Sequence, residues 1–210
     1  MDIYVILLSG IFIGLSYLLG SIPIGLIVSI KFKGIDVREY GSGKTGTTNI
    51  LRTIGVFPAV LVIILDILKG GIPIIISNIF FDQLIFGTLG SLFVIIGHCW
   101  PVFASFKGGR GVASAFGGFV TIAPFPALTI LCLGILIIFF TRYVSLASIA
   151  TVFISMATVT FLVLQDSLAS EILLFAIPAG LLIEFNHFDN MKRLINGSEA
   201  KFGNRVDTGK

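Results

Sequence analysis

Long uncharged runs leave this chain few ways to fold. Apolar stretches occupy 3–30, 54–80, 84–98, 111–122, 127–141, 145–164 and 171–185 of 210 residues. Only 12% of residues are charged, about half the fraction of a soluble domain. Such a chain is an all-α integral membrane protein, because lipid leaves backbone polar groups no partners outside a helix or a closed barrel. The first run alone makes a helix of roughly 42 Å, enough to cross with tilt. The spacing predicts seven transmembrane helices in a single domain over 1–210, with five or six as alternatives because 111–122 and 171–185 are short. Pro124 and Pro126 are expected to make the turn between the fourth and fifth runs.

Orientation follows from the cations. Lys31, Lys33, Arg38, Lys44 and Arg52 share the first loop. Lys107, Arg110 and Arg142 lie in later connections, and Lys192, Arg193, Lys201, Arg205 and Lys210 in the tail. Seven crossings put all of these on one face, the cytoplasm, with the N-terminus extracytoplasmic and the C-terminus inside. Asp2, Asp82, Asp166 and Glu171 fall opposite. The N-terminus lacks a basic stretch and a small-residue cleavage site, so no removable signal peptide is expected. Cys99 and Cys132 form neither a metal pattern nor a disulfide framework.

Three polar segments interrupt the cytoplasmic side. The first, GSGKTGTTNILRTIG (41–55), superficially resembles a nucleotide-binding loop. That pattern needs a glycine at position 38, which is Arg38, and a preceding strand, so the nucleotide reading fails. A glycine-rich loop with hydroxyl donors before a helix still suits a phosphate. A glycine-rich turn capped by Thr48 or Asn49 would look the same. The second, GHCWPVFASFKGGRGVAS (97–114), flanks glycines with two cations at the start of a helix, another anion-type arrangement. His98 reads either as a proton carrier or as a buried hydrogen-bonded residue. The third, EFNHFDNMKRLINGSEAKFG (184–203), places His187, Asn190 and Arg193 on one helix face. Each segment has a plain structural reading as turn, basic loop or amphipathic tail; all three on one face point to a site for one or two anionic groups. Within the second span, Asp66 and Lys69 are spaced to pair, either as an internal ion pair or with Lys69 facing a substrate.

Together, GSGKTGTTNILR, GHCWPVFASFKGGRG and HFDNMKRLINGSE resemble the bacterial acyl-phosphate:glycerol-3-phosphate acyltransferase family, PlsY, over essentially the whole chain. The family pattern differs at Lys44, where Asn is usual, at Thr45 and Thr47, and at Arg110, where a second Lys is usual. The resemblance implies transfer of a fatty acyl chain from acyl phosphate to the sn-1 hydroxyl of glycerol 3-phosphate, giving lysophosphatidic acid and phosphate. It implies catalytic roles for Ser42, Arg52, His187 and Asn190. Gly43, Thr48, Asn49, Lys107, Gly108, Gly109, Gly111 and Ser145 would bind substrate, and Glu199 would tie down the tail, a structural role shared with Asp66 and Lys69. It implies no cofactor or metal, no nucleic acid and no obligatory protein partner. The setting would be the bacterial inner membrane, with the site on its cytoplasmic face. An acyl phosphate is already activated, so positioning and charge stabilisation can carry the reaction without an enzyme nucleophile. The His-x-x-x-x-Asp pattern of other glycerolipid acyltransferases is absent: Phe103 follows His98 at that spacing and Lys192 follows His187. A transporter for a phosphorylated metabolite is the competing class. Clustering of ligands on one face and the lack of an inverted repeat weigh against it.

Overall fold

The computed structural model describes residues 3–209; Asp2 and Lys210, used above for orientation, lie outside them. The described residues form helices and connecting loops: α1 (Ile3–Ser21), α2 (Ile24–Lys33), α3 (Thr47–Thr53), α4 (Val56–Phe80) and α5 (Leu84–Cys99). They continue as α6 (Val112–Ile122), α7 (Pro124–Thr141), α8 (Val144–Leu164), α9 (Leu173–Asn186) and α10 (Phe188–Ile195). Five stretches are long and apolar enough to cross a membrane: Leu7–Lys33, Val56–Phe80, Leu84–Ala104, Pro124–Thr141 and Val144–Leu164. The segment Ser170–Asn186 with Phe188–Ile195, bent by 52°, makes a sixth if counted as one span. At 11 residues, α6 reaches only about 16 Å, short of the hydrocarbon thickness.

Two boundaries differ from the sequence expectation. The first run is two helices, because Pro23 lacks an N–H and restricts Ile22 before it. The prolines at 124 and 126 open α7 rather than forming a turn. Proline is tolerated there because first-turn N–H groups have no helical partner; the chain breaks one residue earlier, at Ala123.

Packing arranges α1, α5, α4 and α6 in succession, with α8 between α7 and α9, and α9 closing against α5. Ile95, Phe119, Ile130, Val159 and Phe175 are buried where these groups meet. Glycines set the closest approaches. A Cβ on Gly70 would strike the carbonyl of Ser114, and one on Gly117 the carbonyl of Ile67, so α4 and α6 touch backbone to backbone. Gly20 and Gly97 do the same for α1 and α5. Small residues matter here because lipid removes the hydrophobic drive between helices and leaves close packing to hold them. The opposite surfaces carry exposed apolar side chains such as Phe125, Phe139, Phe140 and Leu164.

The α4–α6 contact admits a direct test. Gly117→Val is expected to force these helices apart, at about 1–3 kcal/mol. A lower thermal midpoint in detergent than for Val120→Ala, on the same helix, would show it.

Candidate functional site

In the first segment Gly41 and Gly43 adopt left-handed φ of 59° and 68°, turning the chain back over α3. Asn49 is the hub of that turn. Its amide donates to the carbonyls of Val37 (3.1 Å), Tyr40 (3.0 Å) and Lys44 (2.9 Å) and its Oδ1 accepts from the Ser42 N–H (3.1 Å). Asn49, expected to help cradle a phosphate, has its polar atoms engaged in shaping the loop. Thr47 Oγ1 and Arg52 Nε are buried without partners, while Arg52 Nη2 donates to the Ala200 carbonyl at 2.8 Å.

In the second segment the Gly109 N–H donates to the His98 carbonyl at 3.1 Å. Side chains at 108 and 109 would collide with His98. Gly111, at φ 91°, leads into α6. Lys107 points to solvent, whereas Arg110 is half-buried and its Nε has no partner. Burial lowers the affinity of the Arg110 guanidinium for its proton, and Arg193 lowers it further. Arg52 is lowered in the same way, by burial and then by Arg193, with Glu199 opposing. Neither leaves the charged state at physiological pH, since a guanidinium starts far above it.

The third segment closes on Glu199. Its Oε1 accepts from Ser145 Oγ and Asn190 Nδ2, both at 2.8 Å, and its Oε2 from Arg193 Nε at 2.7 Å. Burial works to raise this carboxyl, but the hydrogen bonds from Arg193, Ser145 and Asn190 outweigh it and hold it below its ordinary value. Ser145 is thus engaged with Glu199, as is the Asn190 amide, leaving Asn190 Oδ1 unpartnered. His187 Nδ1 lies 2.8 Å from the Ile183 carbonyl. A carbonyl only accepts, so Nδ1 bears the proton and Nε2 keeps its lone pair.

These segments surround one cavity of about 870 Å³. Ser42, Thr48, Asn49, Arg52, Gly111 and Ser145 line it, as do His187, Asn190 and Glu199. Gly43, Lys107, Gly108, Gly109 and Lys69 do not. Of the residues expected to bind substrate, Gly43 shapes its loop, Gly108 and Gly109 pack against His98, and Lys107 faces out. Lys44, Arg110, Arg193 and Arg205 line the wall. From sequence, Arg110 is one of the two cations of the glycine loop but carries no assigned substrate role, and nothing local marks Arg205. The acids on the wall are Asp66 and Glu199, and they are taken by Lys69 at 2.8 Å and Arg193. The remaining cations face the cavity in excess. The other end is apolar, walled by Leu131, Ile135 and Ile138 of α7. It shares Val112, Phe116, Ile130 and Thr151 with a smaller apolar cavity of about 90 Å³ between α6 and α9.

A cationic, donor-rich end and an apolar end describe a site for an amphiphile with an anionic head. Residues 10–197 match the glycerol-3-phosphate acyltransferase family. This chain belongs to that family. The chain is 38% identical over 206 residues to a glycerol-3-phosphate acyltransferase 3 of Dehalococcoides mccartyi, covering 91% of this chain and 94% of the relative. It is 41% identical over 196 residues to a glycerol-3-phosphate acyltransferase of Fusobacterium nucleatum, covering 91% and 96%. Crystal structures of PlsY, an integral membrane glycerol 3-phosphate acyltransferase, superpose with TM-scores of 0.84 for its glycerol 3-phosphate form and 0.82 for its lysophosphatidic acid form. The identities are 39% and 38%, with 93% of this chain and 96% of each of those chains covered. Like PlsY, this acyltransferase-family chain is a multi-pass membrane protein.

Glu199 gives a pH-dependent readout. Its folded value lies below the ordinary 4.5, so its contribution is complete above that pH and is lost as pH falls through the folded value. The thermal midpoint of wild type should exceed that of Glu199→Gln near neutrality. The two should converge as pH drops from about 6 to about 3.

Proposed function

We propose that this chain is a membrane acyltransferase that moves a fatty acyl group from acyl phosphate to the sn-1 hydroxyl of glycerol 3-phosphate. The observation that carries the reading is the single cavity joining the guanidinium groups of Arg52 and Arg110, whose Nε atoms lack partners, to an apolar wall on α7. Both substrates bring a phosphate, and one also brings a long apolar chain.

Arg52, Arg110 and Lys44 hold the phosphoryl groups, with Ser42, Thr47 and Thr48 as hydroxyl donors. Arg110 takes the place given to Lys107 on sequence alone. The acyl chain lies along α7, toward the small apolar cavity. The glycerol hydroxyl oxygen attacks the acyl carbonyl carbon. The new C–O ester bond forms as the C–O bond to phosphate breaks, and inorganic phosphate leaves. His187 Nε2, an acceptor in its fixed tautomer, orients the attacking hydroxyl, and a phosphate oxygen takes up the proton. Concentrated positive charge stabilises the developing oxyanion and the leaving phosphate. Asn190, Ser145 and Glu199 act by holding Arg193 and the tail in place.

We further read the fold as one domain with seven crossings, the short α6 and the bent α9 included. The N-terminus is then extracytoplasmic, and the tail and site face the cytoplasm of a bacterial inner membrane. Support comes from the cations at 31–52, 107–110, 142 and 192–205, which share one side under that count. No cofactor and no obligatory protein partner enters this scheme.

The test is turnover by detergent-purified protein supplied with palmitoyl phosphate and glycerol 3-phosphate, with acyl-CoA in parallel. Lysophosphatidic acid and phosphate should form from acyl phosphate. Product from acyl-CoA alone would break the donor assignment, and none from any donor would favour a transporter. Arg52→Ala and Arg110→Ala should each lower kcat/KM by roughly 10- to 100-fold, the worth of a hydrogen bond to a charged group. Lys107→Ala should stay within about twofold.

A further inference from the structure

His98, at the end of α5, belongs to none of the roles above. It is 8% exposed, yet it lines the large cavity. Its Nδ1 lies 3.0 Å from Lys69 Nζ and 3.4 Å from Asp66 Oδ1. Lys69 Nζ is also 2.8 Å from Asp66 Oδ1 and donates to the carbonyls of Gly20 (3.2 Å) and Ile22 (3.4 Å). An ammonium has donors and no acceptor. At 3.0 Å from Lys69 Nζ, against 3.4 Å from Asp66 Oδ1, Nδ1 is placed to offer its lone pair to Lys69. The alternative, a protonated imidazole, sets two cations in contact inside a buried pocket with one carboxylate between them, a costly arrangement. The proton of the neutral ring then sits on Nε2.

That Nε2–H has no protein acceptor among the described residues. Gly109 crosses the same edge of the ring, and a Cβ there would collide with Nε2. Glycine at this position is what fits beside the donor while His98 still lines the cavity. The buried Asp66–Lys69 pair thus does two things to His98: it fixes the tautomer, and it supplies a net-neutral backing, so no further positive charge is introduced beside the arginines.

We propose that His98 is a further binding residue of this site, donating its Nε2–H to a phosphoryl oxygen at the inner end of the cavity, with Asp66 and Lys69 as its positioning residues. Such a donor adds direction where Arg52 and Arg110 add charge. This rests on the acyltransferase reading for the source of the phosphoryl group, either glycerol 3-phosphate or acyl phosphate.

Two measurements test it. The chain has two histidines, so ¹⁵N-histidine labelling resolves both, assigned with His187→Gln. His98 should show a protonated Nε2 and His187 a protonated Nδ1, and saturating inorganic phosphate should shift the His98 Nε2 signal. A protonated Nδ1 at His98, or a phosphate response that leaves His98 unmoved, would overturn the proposal. This arm reads binding and stands even if no acyl transfer occurs. The second arm is kinetic. His98→Asn keeps an acceptor for Lys69 but loses the cavity donor, and should keep the wild-type thermal midpoint while raising KM by roughly 10- to 100-fold. His98→Gln, which restores an N–H near the Nε2 position, should recover part of that loss. The substrate whose KM rises identifies which phosphoryl group His98 meets. Wild-type KM for both substrates in His98→Asn would sink the idea.

Discussion

One carboxylate holds the polar end of this protein together. Glu199 accepts from α8 through Ser145 and from α10 through Asn190 and Arg193. Among the described residues it is the acid on the cavity wall that Lys69 does not neutralise. Guanidinium groups crowded in a half-buried space repel one another, and burial penalises each. Without Glu199, Arg193 would have no counter-charge, and the tail would lose its anchor beside Arg52. With it, Arg193 is settled, and Arg52 and Arg110 remain short of partners. That imbalance is what an anionic ligand would relieve.

Deeper in the bilayer the same constraint is met with exact neutrality. A charge at membrane depth is tolerated where it pairs or meets backbone carbonyls, and Lys69 does both. Breaking α1 from α2 at Pro23 turns the Ile24 N–H onto the Ile22 carbonyl and leaves that of Gly20 outside the helix ladder, and Lys69 donates to both carbonyls. The interruption in the first span and the charged pair in α4 therefore depend on each other.

Much of this was legible in the chain. Apolar runs located the helices to within a few residues, and glycines, hydroxyls and cations marked three segments that do meet around one cavity. What escaped has a common cause. Helical periodicity says which residues share a face, so His187, Asn190 and Arg193 were placed correctly relative to each other. A glycine-rich loop has no such period. Nothing local told that Lys107 would turn outward and Arg110 inward, or that Asn49 would be consumed by its own turn. Arg205 reaches the wall from far along the tail, a long-range contact that sequence spacing does not encode. The membrane count stayed open for α6 because 11 residues satisfy neither a full span nor an ordinary loop.

The tail crosses back to the first loop by two bonds: the Arg52 guanidinium to the Ala200 carbonyl, and the Val206 N–H to the Arg52 carbonyl. Ribosomal synthesis runs in the other direction. Arg52, Arg110 and the apolar wall have been synthesised while residues 199–206 are still unmade. A nascent chain therefore holds an open, unbalanced cleft, and the complete cavity exists only after residues 199–206 have emerged. Folding of the catalytic end is thus timed by translation itself, and a chain released early lacks the piece that closes it.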